Sequence, residues 1–220
     1  MTHPADSKAG SATGPATADD WLDELEAGAP DVVAAYRGID AGQFLSVRRE
    51  VRRRAGSGTA RGLTGQLAAT AGALAAAVER LPEAAFSMPG EEEDWNVSQA
   101  IGHVAHARAG LVLAASLAAG RRFPVRAGPV VPGVPGPGDA DRQGLLAALA
   151  RSQRLIARAA TRVAGHETDA CPLDHPLVGR LRCGEWILFA GVHDCMHLQQ
   201  LHELAVRLGA PTGAAQPSMR

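Results

Sequence analysis

The sequence predicts an all-α fold, a four-helix bundle with an N-terminal extension that is partly helical and partly disordered. Three observations point there. Apolar residues make up 46% of the 220 residues while aromatics reach only 4%, so the core must be assembled from aliphatic side chains on helices. Four stretches of more than twenty residues place leucine and alanine at helical spacing. The longest segment between them concentrates glycine and proline and can be neither regular helix nor central strand. A chain of this length holds one domain with a substantial core and something extra.

Taken in order, residues 1–19 are rich in Ala, Ser, Thr, Gly and Pro without periodicity and read as a disordered tail. Residues 20–60 form the extension, with two short amphipathic stretches, "DDWLDELEAG" and "GQFLSVRREVRRR", broken at Gly28, Ala29 and Pro30. They read as helical adornments on the bundle, which is expected over 61–210. The first long helix covers 61–81, lines up Leu63, Leu67, Leu74, Ala77 and Leu81, and stops at Pro82. A loop with Pro89, Gly90 and the acidic run Glu91 to Asp94 leads to Trp95, after which Asn96 or Ser98 caps a second helix ending near Gly120. Residues 120–139 are an irregular loop of the length used for functional lids or left disordered. The third helix, 141–164, spaces Leu145, Leu146, Leu149, Leu155 and Ile156 along one side. The fourth, 184–209, is closed by Gly209 and Pro211, and 211–220 is a second tail.

The formal net charge is −1, and Lys8 is the only lysine. Balanced charge without a concentrated positive face argues against a nucleic-acid partner, and the arginines at 48, 49, 52, 53 and 54 read as a solvated helix face. Cys171, Cys183 and Cys195 are odd in number and match no disulfide framework, which fits a reducing cytoplasm. The N-terminus has no apolar segment of a secretory signal, and the run "AGLVLAASLAAG" at 109–120 is too short to cross a bilayer. A soluble cytoplasmic protein with no membrane partner is expected.

The stretch "GVHDCMHLQQLHEL" sets His193, His197 and His202 within ten positions. His193 and His197 stand about 40° apart around a helix and about 6 Å apart along it, so both imidazoles can reach one ion. Trp186, Phe189, Gln200 and Leu204 share that face, whereas Cys195 and His202 point away from it. Imidazoles on an apolar face need partners. A metalloprotease would place glutamate directly after the first histidine, and Asp194 stands there instead. A third ligand must come from another helix, and the second long helix offers His103, with His106 three residues on. Two histidines from one helix and one from its neighbour make a site with three neutral nitrogens and an open position.

Two spaced motifs, "WNVSQAIGHVAH" and "EWILFAGVHDCMHLQQL", with "HPLVGRLRCGEW" leading into the second, resemble the DinB/YfiT-like superfamily of metalloenzymes over about residues 61–210. The resemblance implies an up-down-down-up four-helix bundle whose metal is held by three histidines, which fall on His103, His193 and His197. Zinc is the expected ion, with nickel or iron as the alternatives. His106 matches no ligand position. Gln200 matches a frequent family position and is expected to orient a ligand or substrate.

Relatives of this kind include S-transferases and isomerases that use a low-molecular-weight thiol such as bacillithiol or mycothiol. The resemblance therefore implies a metal-dependent transferase that adds a thiol to a small electrophile. The alanine, arginine and glycine bias of a high-GC bacterial genome favours mycothiol. Arg121, Arg122 and Arg126 in the long loop are the candidate contacts for an anionic substrate group. Hydrolysis by metal-bound hydroxide and a non-catalytic, stress-response binding module are the alternative readings. A homodimer is the assembly to look for, although no contact pattern in the sequence demands one.

Overall fold

The computed structural model describes residues 20–40, 44–56, 58–90, 95–124, 128–131 and 133–209; the two expected tails lie outside these. The regular elements among the described residues are all helical: α1 (Asp20–Glu26), α2 (Pro30–Arg37), α3 (Phe44–Ala55), α4 (Ala60–Arg80), a 3-10 turn at Glu83–Phe86, α5 (Val97–Ala119), α6 (Arg142–Ala160) and α7 (Cys183–Arg207). Extended pairing among them is limited to two isolated bridges, Ala170 with Arg182 and His175 with Gly179.

The four long helices begin where side chains satisfy their first free N–H groups. Thr59 accepts from the Gly62 amide at α4, and Asp141 from the Gly144 amide at α6. At α5, Asn96 accepts from the Gln99 amide while the Gln99 side chain accepts from the Asn96 amide, a reciprocal box. Glu185 receives the Arg182 amide at the start of α7. The expected third helix stops four residues early, because 161–165 turn instead.

These four helices pack in a ring in which α4 and α5 each lie against both α6 and α7. At its centre Arg108 of α5 and Asp194 of α7 are both fully buried, with Nη2 and Oδ2 3.1 Å apart. Thr70 of α4 donates to the same carboxylate oxygen at 2.6 Å, and Arg108 donates to the Leu67 carbonyl of α4 at 2.5 Å and to Ser152 of α6 at 3.4 Å. One polar node thus touches all four helices. A carboxylate in that setting is pushed up by burial to about 6, against the pull of Arg108 and Thr70.

The N-terminal extension contains three helices where the sequence reading expects two. Pro30, which the sequence places in a break, occupies the first turn of α2, where a missing N–H costs nothing. Trp21, Leu22, Leu25, Val32, Val33, Val47 and Val51 are buried and continuous with the bundle core. α2 and α3 both lie on α7, whose residues Cys183–Val192 are buried on every side. The approach is close: a Cβ on Gly191 would stand 2.7 Å from Val32 Cγ2. At the surface, Arg48 and Arg52 both donate to the Arg180 carbonyl, and Arg49 and Arg53 flank the buried Glu50.

α5 is longer than the apolar run at 109–120 suggests, and it is the one helix among the described residues long and apolar enough to cross a membrane. Half of that stretch is buried inside the fold, against α6 and α7, with the Arg108 charge among its buried residues.

Candidate metal centre

His103 stands on the second turn of α5, and His193 and His197 on the middle of α7, so the ring packing of α5 against α7 brings them together. One nitrogen from each lies within 4.8 Å of the other two. His103 Nε2 and His193 Nε2 are 3.2 Å apart. Two nitrogens of a tetrahedral zinc site, each about 2.0–2.1 Å from the ion, stand about 3.3 Å apart.

The surroundings settle which nitrogens face inward. Nδ1–H of His103 donates to the Val134 carbonyl at 2.8 Å, and Nδ1–H of His197 donates to Gln200 Oε1 at 2.8 Å. Each bond leaves the Nε2 lone pair pointing into the cluster. His193 Nδ1 is buried without a hydrogen-bond partner. Burial, reinforced by the neighbouring imidazoles, holds His193 well below its ordinary value and His197 down to about 4. Neutral imidazoles with converging lone pairs are the donor set a divalent ion of the zinc, nickel or iron type requires, so the residues fit such an ion.

The Val134 carbonyl is delivered by the glycine-proline loop, which is a pinned strap rather than a lid over its described part. Gly136 donates to the Gln99 carbonyl, Ser98 donates to the Pro137 carbonyl and accepts from the Ala140 amide, and Asn96 donates to the Gly138 carbonyl. The strap crosses α5 at Gly102, where a Cβ on Gly136 would be 2.5 Å from Gly102 Cα. Only paired glycines allow that crossing. Trp95 covers His103 from the side, with ring centroids 4.8 Å apart.

Other residues singled out in the sequence fall elsewhere. Arg121 and Arg122 follow the C-terminus of α5, eighteen positions from His103 and so about 27 Å along the axis. That distance removes them as substrate contacts at this site, and Arg126 lies outside the described residues. His106 is exposed. His202 stacks on Trp21 at 5.2 Å and anchors α1 instead of the cluster. Asp194 faces Arg108 in the core and is not placed to position water. Burial pushes all three thiols up, Cys183 to about 12, which disfavours the reactive thiolate form.

Sequence reasoning missed the groove beside the cluster. It has a volume of about 460 Å³, reaches His197 and Gln200, and is walled by the turn at 85–90, the start of α5 and the last three turns of α7. Its signal was present in the sequence, since Leu201, Leu204 and Arg207 continue the face of His197 at helical spacing.

A family model described as the DinB superfamily matches residues 66–201. No curated protein and no solved structure matches the chain.

Proposed function

The chain belongs to the DinB superfamily, and on that premise we propose that it is a metal-dependent transferase in which a low-molecular-weight thiol attacks a small electrophile. The observation that carries the proposal is the convergence of three imidazole nitrogens, two of them with their tautomers set by Val134 and Gln200. A divalent ion held by His103, His193 and His197 would lower the pKa of a coordinated thiol enough to keep it as thiolate at neutral pH.

The chain's own residues do the rest. The Val134 carbonyl and Gln200 hold the rings of His103 and His197, which limits how far those two rings must turn when an ion binds. Phe189 and Trp95 flank the cluster and limit water on two sides. Because Cys171, Cys183 and Cys195 are buried away from the cluster's solvent side, the attacking sulfur comes from a cosubstrate. Sulfur bonds to the electrophilic carbon, the leaving group departs with the bonding pair, and the thiol proton ends on that leaving group, directly or through solvent. The arginine-rich, lysine-poor composition makes mycothiol the thiol to try first.

The test is metal content by elemental analysis of untagged protein beside His193→Ala, followed by thiol consumption with a panel of electrophiles. About one equivalent of zinc, nickel or iron, lost in the variant, together with metal-dependent thiol consumption, is the expected result. Metal without thiol dependence would redirect the reading to hydrolysis. No metal, even after reconstitution, would overturn it.

A further inference from the structure

The groove beside the cluster has a length, a chemistry and a direction that together describe a substrate. His197 and Arg207 are ten positions apart on α7, which sets about 15 Å between the metal end and the far end. Between them α7 presents Leu204, above the buried Leu201, and the opposite wall presents Met88 and the half-buried Trp95. Met88 is 41% exposed, a large apolar side chain open to water on this wall, and Leu204 is only half-buried. Among the described lining residues, charged side chains stand at the far end, where Glu203, which receives the Gln199 side-chain amide at 2.9 Å, precedes Arg207 by one turn. No groove-lining residue comes from α2 or α3. A volume of about 460 Å³ falls within the range that encloses most of a drug-sized ligand.

Resting on the metal-site reading above, we propose that the electrophile is an elongated molecule with an alkyl or aryl body, its reacting head at His197 and its polar end at Glu203 and Arg207. A short hydrophilic electrophile would leave the apolar walls wet and gain nothing from them. An apolar body of about eight carbons displaces that water along Leu204, Met88 and Trp95.

Alkyl hydroxamates report this directly, since the head group chelates the ion while the chain samples the groove. Calorimetric Kd values for acetohydroxamate and octanohydroxamate would be measured on the full-length, zinc-loaded protein and on Leu204→Glu. Each buried methylene should tighten binding about threefold, so octanohydroxamate should bind at least about a hundredfold more tightly than acetohydroxamate. Leu204→Glu should abolish most of that difference while zinc content stays at the parent level. Equal affinities for the two chains, with zinc bound, would overturn the substrate class and leave the metal site standing. No zinc and no hydroxamate binding would overturn both.

Discussion

Replacing Gly136 by alanine tests whether the strap prepares His103 for metal. The new Cβ would stand 2.5 Å from Gly102 Cα, 2.7 Å from the Gly102 carbonyl carbon and 2.8 Å from the His103 amide nitrogen. Carbon atoms in contact sit about 3.5–4.0 Å apart, and none of these three is the end of a flexible side chain, so the strap must rise by about 1 Å. Val134, two residues away, would carry its carbonyl with it. The 2.8 Å bond to His103 Nδ1 would then stretch to about 3.8 Å, which is no longer a hydrogen bond. Losing such an outer partner lowers metal affinity about 10- to 100-fold, equivalent to about 1.4–2.7 kcal/mol. Competition against a chromophoric chelator measures it. Gly102→Ala attacks the same crossing from the helix, with its Cβ 2.9 Å from Gly136 Cα and from Pro137 Cδ. That substitution also raises helix propensity by about 1 kcal/mol, so it should weaken zinc binding without a matching loss of helix. If both variants hold zinc as tightly as the parent, the strap does not orient His103 and the tautomer argument fails.

Arg108→Met leaves the Asp194 carboxylate buried without its cation and should cost about 3–5 kcal/mol in urea unfolding. Adding Asp194→Leu should recover most of that loss, and a double variant as unstable as the single would refute the pairing. Glu167 accepts the Ala60 amide at 2.7 Å at the start of α4; burial raises its carboxyl, but that bond and other backbone N–H contacts lower it further, leaving it below the ordinary 4.5. A depressed folded pKa contributes stability above 4.5 that is lost as pH falls through the folded value. Glu167→Gln should therefore cost about 0.3–1 kcal/mol at neutral pH and nothing in strong acid, and a pH-independent difference in melting temperature would count against the assignment. Gly191→Ala places a Cβ 2.7 Å from Val32 Cγ2. Overpacking of about 1–3 kcal/mol, partly offset by helix propensity, should lower Tm, and Val32→Ala should rescue it; strictly additive effects would show that the two residues do not collide.

The long helices were readable because each carries both a periodic apolar face and a local start signal, as at Asn96 and Asp141. The HxxxH pair was readable for the same reason, since spacing on one helix fixes which side chains meet. His103 was a different matter: on the residues alone it was one of two candidates, His103 and His106, and the choice came from the resemblance. α2 was hidden because Pro30 ends one helix and begins another with equal ease, and a single sequence does not distinguish the two. The strap was hidden because its order depends on a contact between Gly102 and Gly136, thirty-four positions apart. The remoteness of Arg121 and Arg122 from His103 was readable too, since most of a long helix separates them. Arg108 gave a faint signal as the one charge deep in an apolar helix.

An interface of alanine and leucine is a poor ruler. One helix can slide along another by a turn, about 5.4 Å, and find much the same surface. Arg108 and Asp194 forbid that slide, because a shifted helix would strand two opposite charges in the core. His193 is the immediate neighbour of Asp194, and His103 precedes Arg108 by five positions, so the alignment that satisfies the charges is also the one that sets the imidazoles level with each other. The two halves of the histidine cluster, encoded ninety positions apart, are thereby brought into step by residues outside it. A bundle stripped of its three histidines would keep that alignment, and new ligands placed at the same heights would meet.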